Sequence, residues 1–219
     1  MRRLFFIFWL ACSCSLAQVQ VVQPKSLKHK TMGNTLISFP DDFGFKASYH
    51  IPKVKELFDA TNYNSIEIIE VYLTESCHNK ILANDSSLIE KDYVKVYSNS
   101  KLNNRVLDTA ALRFFCDKMV EMDTTYSRKG ADYYKEKLSR IYSLSNKLLK
   151  VDKEDKFHKT LYYEVFINEV SSMMILNLWL VKGKLIYVGY YPKVKNEESF
   201  ESIVDRNKQL MQIFKGVKQ

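Results

Sequence analysis

Glycine is scarce in this sequence, six residues in 219, and that scarcity excludes whole classes of chemistry. No GxxxxGK[ST] loop, GxGxxG turn or GxSxG elbow occurs, so the usual phosphate cradles and the hydrolase nucleophile turn are missing. Cysteine and histidine number four each. Neither is spaced as CxxC or HExxH, and His29, His50, His78 and His158 are scattered singly, so no zinc-ligand pattern forms. No cofactor is implied. Long apolar runs are missing as well beyond the first seventeen residues. The longest, Met173–Val181, has nine residues and is interrupted by Asn177. A membrane-spanning helix needs about 20, so no transmembrane segment is expected after the leader.

What is present begins with "MRRLFFIFWLACSCSLAQ". Arg2 and Arg3 form a basic start, Leu4–Leu10 open an apolar core, and Ser15-Leu16-Ala17 offers small residues to a signal peptidase. Residues 1–17 are thus expected to be a signal peptide, with the mature chain starting at Gln18 and exported to the periplasm or outside the cell. Lipid anchoring through Cys12 is the alternative, although it leaves a short apolar core. Cys77 and Cys116 remain after cleavage, an even count that permits one disulfide in an exported protein. Two unrelated thiols, one of them packed in a core, is the competing reading.

The formal charge is +8, and loss of Arg2 and Arg3 takes it to +6. Residues 126–159 hold ten Lys or Arg and five acids, so this one segment carries most of the surplus. Lys135, Lys137, Arg140, Lys147 and Lys150 are its candidate contacts for an anionic envelope component. A solvated helix face is the plainer account. Nucleic acid is not an expected partner of an exported chain.

Periodicity places the elements. Residues 18–34 are polar and read as an N-terminal arm, with a single domain over 35–219. A short strand is predicted at 35–39, stopped by Pro40, and Asp41-Asp42 beside Gly44 read as a turn. "VKELFDA" allows a turn or two of helix after Pro52. "SIEIIEVYLTE" and "YVKVYS" alternate as strands, with a loop at "NDSS" between them. From Asp108, an N-cap, the residues Ala111, Leu112, Phe115, Cys116, Met119 and Met122 share one helix face. A second helix is predicted from about Ala131 to Leu149. "LYYEVFIN", "MMILNLWLV" and "LIYVGYY" predict a three-stranded antiparallel meander, apolar on both faces, with a tight turn at Gly183. Asn196 is expected to cap a closing helix whose stripe is Phe200, Ile203, Val204, Leu210, Met211 and Phe214. A sheet apolar on both faces needs covers, and the helices supply them. The fold class is therefore α+β, an antiparallel sheet between helices.

"SFPDDFGF" followed at a distance by "LYYEVFIN", "LNLWLVKGKLIYVGYYPK" and "ESFESIVDRNKQLMQIF" resembles the PsbP-like family, which includes extrinsic proteins of the oxygen-evolving photosystem. The resemblance covers mainly the C-terminal third. It implies an α/β/α sandwich and a role as an adaptor or assembly subunit without a shared catalytic centre. The region about 108–150 is longer than the family's core leads one to expect.

No catalytic constellation emerges from the residues. Cys116 lies on an apolar helix face, where a thiol is a poor nucleophile. Cys77-His78 at a strand end is the sharper thiol-enzyme candidate. Tyr162, Tyr163, Tyr187, Tyr190 and Tyr191 fall on adjoining strands and line either a groove or a sheet–helix interface. The resulting expectation is an exported, non-catalytic binding or accessory domain of the cell envelope, with an unidentified protein or anionic envelope partner. The alternative is a secreted hydrolase or thiol enzyme with a dispersed site.

Overall fold

Strand β9 (Lys184–Tyr191) runs through the centre of a seven-stranded sheet, and all its residues but the last are buried. The computed structural model describes residues 24, 26–60, 65–83, 92–125, 144–153, 155–167, 170–194 and 198–219. Among these, the chain runs β1 (Leu27–Met32), β2 (Thr35–Pro40), β3 (Phe45–Ala47), α1 (Pro52–Ala60), β4 (Ile66–Thr74), α2 (Glu75–Leu82) and β5 (Tyr93–Asn99). It continues through α3 (Thr109–Thr125), β6 (Leu144–Asp152), β7 (His158–Ile167), β8 (Val170–Val181), β9 and α4 (Phe200–Gly216). The sheet order is β3-β4-β5-β9-β8-β7-β6, and every neighbouring pair is antiparallel. β1 and β2 form a separate two-stranded ribbon. The result is a mixed α+β protein with one large antiparallel sheet and four described helices.

The predicted meander is present as β7–β8–β9. Its turn contains Lys182 and Gly183, both at positive φ (49° and 74°), the geometry a two-residue hairpin needs to match strand twist. Alternation then sorts the side chains. Ile175, Trp179, Ile186 and Val188 enter one core with Ile203, Leu210 and Phe214 of α4. Leu176, Leu178, Leu185 and Tyr187 enter another with Leu112 and Cys116 of α3. A third cluster joins Val71 and Leu73 of β4 to Val54 and Phe58 of α1 and Cys77 and Ile81 of α2. Cross-strand pairing of Leu73 with Tyr93 and Val71 with Lys95 puts that cluster on the α3 side of the sheet.

Four sequence expectations change. Residues 144–149 are strand, not the end of a helix, while 131–143 lie outside the described residues. "LSNKLLK" is rich in good helix formers, but pairing of Leu148 with Tyr163 and Val151 with Leu161 overrides local propensity. A register shift between Leu148 and Lys150 also breaks the two-residue alternation that would have betrayed the strand. The segment read as an arm contains β1. Its Lys28 and Lys30 look solvated, yet they pair with Glu70 at 2.8 Å and Glu67 at 2.7 Å. Cys77 does not sit at a strand end but in α2, capped by the Thr74 hydroxyl, which accepts from the Cys77 N–H at 3.3 Å. Finally, Ser199 caps α4 through the Ser202 N–H, whereas Asn196 lies outside the described residues, as does the "NDSS" loop.

A Cβ added at Gly183 would meet Val106 Cγ1 at 2.7 Å. Gly183→Ala is therefore expected to lower stability by about 1–2 kcal/mol from left-handed strain, plus displacement of that methyl. Urea denaturation checks this; an unchanged midpoint would mean that the turn does not fix the hairpin.

Candidate functional site

Three clusters have the composition of chemistry, and two of them are turned inward. In the first, Ser48 is fully buried; its hydroxyl donates to the Lys46 carbonyl at 2.7 Å, which leaves its lone pairs to accept from His78 Nδ1 at 2.8 Å. A serine whose proton is held by a backbone oxygen is a packing group, not a nucleophile. Burial lowers the His78 pKa, assisted by His50 and Lys46. The neighbouring Cys77 points into the cluster of Ile51, Val54 and Ile81.

The second cluster lies between β8 and α4. Asn177 Nδ2 donates to the Val188 carbonyl at 3.0 Å, which fixes the orientation of the amide. Asn177 and Asn207 then form a reciprocal amide pair at 3.0 and 3.1 Å. The Asn177 Oδ1 also accepts from Thr160 at 3.0 Å and from His158 Nε2 at 3.0 Å, which places the ring proton on Nε2. Burial, then the charge of Lys215, brings the His158 pKa down to about 4. The sequence signal for this network was Asn177 interrupting an apolar run. Asn207 was missed because a single polar residue in a helix stripe has no periodic signature.

Because the unfolded imidazole titrates near 6.5, the unfolded chain binds a proton there that the folded chain refuses. Stability should be full above pH 6.5 and fall by on the order of 3 kcal/mol as pH drops towards 4. Denaturation curves at stepped pH check this, with His158→Gln expected to flatten that window.

Both cysteines are free and buried, and they belong to different clusters; of the two readings left open, a Cys77–Cys116 bridge and two unrelated thiols, the structure shows no bridge. Burial raises the Cys116 pKa. Thiol reagents should label neither cysteine in the folded protein and both after denaturation without reductant. Label uptake at the rate of a peptide thiol in the folded state would reopen a reactive site.

The five tyrosines separate onto two sides. Tyr162 and Tyr190 enter the α4 core, and Tyr163 and Tyr187 enter the α3 core. Tyr191 stacks on Tyr93 at 4.5 Å and Tyr187 on Tyr97 at 5.2 Å, so these rings spend their faces on each other. Gly189 sits between the pairs, where an added Cβ would press on the Tyr191 ring at 3.2 Å. Burial pushes Tyr187 and Tyr191 up to about 12. These phenols stay protonated and serve the packing of the sheet.

The third cluster faces out. Of the predicted basic contacts, Lys135, Lys137 and Arg140 lie outside the described residues, while Lys147 and Lys150 stand exposed on β6, the edge strand. Lys156, in the β6–β7 turn, is exposed as well. Other lysines nearby are spent on structure: Lys153 pairs with Asp117 of α3, Lys215 pairs with Asp155 at 2.6 Å, and Lys159 is buried, donating to the Asp155 carbonyl. The Asp117–Lys153 pair brings the outer side of α3 against the β6–β7 turn. Phe114, Leu149 and Phe157 are exposed on these elements, and so is Met122, which the helical spacing had placed on the apolar face of α3.

The chain is similar to the solution structure of cyanobacterial PsbP (CyanoP) from Synechocystis sp. PCC 6803, at 15% identity and a TM-score of 0.39, over 91% of this chain and 97% of that one. No family model matches the chain, and no curated protein does.

Proposed function

We propose that this protein is an exported, non-catalytic accessory domain of the cell envelope, built as a PsbP-like α/β/α sandwich, that works by docking onto an anionic surface. Export rests on the leader-like residues 1–17, which lie outside the described residues. Among the described residues no helix is long and apolar enough to cross a membrane. Docking rests on one observation: Lys147, Lys150 and Lys156 are exposed and lack an ion-pair partner among the described residues, while the nearby Lys153 and Lys215 are each paired with an aspartate. Unspent positive charge on an edge strand also blocks pairing with a stray strand, so part of its effect is protective. Three such lysines near an anionic surface contribute about 1 kcal/mol each, screened over roughly 8–10 Å at physiological salt.

The test is retention of the mature protein on a sulfated polysaccharide across a salt gradient. Binding should weaken steeply with salt, and Lys147→Glu with Lys150→Glu should reduce affinity by about 10- to 100-fold. Absence of retention at low salt would remove the docking function.

A further inference from the structure

The α3 side of the sheet carries an anomaly at its centre. One row across it runs Val71, Lys95, Gly189 and Leu176. Val71 belongs to the cluster under α1 and α2, and Leu176 to the cluster under α3. A lysine and a glycine thus occupy the seam between two apolar covers. Tyr93 and Tyr191 flank that pair at one end, and Tyr97 and Tyr187 at the other. The four rings are spent on stacking, but their hydroxyls are not. Buried phenols ordinarily find a partner. Here Tyr72 donates to the Pro40 carbonyl at 2.7 Å, Tyr49 to Asp59 at 2.6 Å and Tyr190 to Asp92 at 3.1 Å. Tyr93, Tyr97, Tyr187 and Tyr191 have no hydrogen-bond partner among the described residues, although Tyr187 is only 7% exposed. Nor are these hydroxyls sealed in. The buried side-chain atoms without a partner among the described residues are Ser98 Oγ, Asn103 Oδ1 and Arg206 Nε.

We infer that Tyr97, Tyr187, Tyr191 and Lys95 form a binding site for a small oxyanion, a carboxylate or a phosphate, on the seam between the two covers. Gly189 shapes it. A Cβ added there would lie 3.2 Å from Tyr191 Cε2 and 3.5 Å from its hydroxyl, so the Tyr191 ring leans over the glycine towards the Tyr97–Tyr187 pair. Burial pushes the Tyr97 pKa well up, and the neighbouring Tyr191 and Tyr187 add to this. The Lys95 ammonium lies 5.4 Å from the centre of the Tyr97 ring. Burial lowers its pKa, a penalty that a bound anion relieves. Protonated phenols and an ammonium make a lining rich in donors, and an oxyanion supplies only acceptors. The ring faces are taken by each other, which sets a stacked sugar aside. The acid felt at Lys95, Asp59 of α1, is already held by Lys55 and Tyr49, both at 2.6 Å. The site lies across the sheet from Lys147 and Lys150 and does not rest on the docking proposed above.

The experiment is calorimetric titration of the mature protein with inorganic phosphate and, separately, with succinate, at fixed ionic strength. Saturable binding is expected, and the tighter probe tells phosphate from carboxylate. Tyr97→Phe combined with Tyr187→Phe removes two hydroxyls and keeps both rings. That variant should bind about tenfold more weakly or worse, because each hydroxyl donates to a charged group. Its urea midpoint without anion should be unchanged, since neither hydroxyl has a partner among the described residues. Lys95→Met should weaken binding as well, whereas Lys147→Glu with Lys150→Glu should leave it as it was. Equal affinity in the wild type and the Tyr97→Phe, Tyr187→Phe variant would overturn the site. So would loss of binding with Lys147→Glu and Lys150→Glu, or the absence of saturable heat with either probe.

Discussion

The pairing of β9 on both its edges is the constraint on which the rest of the structure depends. One edge is local: β9 returns from β8 through a two-residue turn. The other is distant: Tyr93 of β5 pairs with Tyr191, nearly one hundred residues on. Before that second pairing the chain is two separate pieces, β3–β4–β5 and the β6–β9 meander. Closing so long a loop costs entropy, and burial of β9 on both faces supplies the compensation. A strand that must be apolar on both sides in turn requires covers on both, and the positions of α3 and α4 follow.

Apolar covers alone do not choose a register. The reciprocal amide pair of Asn177 and Asn207 does so for α4, because a shift of one residue would carry the buried Asn207 amide away from both of its bonds to Asn177. His158 extends this network towards the Asp155–Lys215 pair at the far end of the helix. Polar groups in the centre of this sheet therefore specify position more than they contribute catalysis. Ser48 with His78 does a comparable service for α2 against β3.

Once the inward clusters are accounted for by packing, the chemistry left over is at the β6 edge. The ion pairs there consume some lysines and leave others, and α3 and the β6–β7 turn are drawn into one corner. Lys147 and Lys150 stand on the α4 face of β6, opposite Glu164 and Tyr162 of β7.

The sequence by itself determined the meander, α4 with its stripe, α3 with its Asp108 cap, and the strands at 66–74 and 93–99. Each has a period of two or of about three and a half that reports a buried face locally. Lys147 and Lys150 were also legible, as members of a charge-rich segment, though assigned to a helix. Tertiary structure alone decided that 144–152 is a strand, because its hydrogen bonds are to β7 and its alternation is interrupted. It decided that β1 is a strand, because its hydrogen bonds are to β2 and its lysines reach Glu67 and Glu70 of β4. Phe114 and Phe157 carried no signal, since an exposed aromatic is recognised only by what fails to cover it. Cys77 and Cys116, an even pair on paper, were separated because each thiol is claimed by a different apolar cluster, and residue counts hold no information about which cluster a side chain joins.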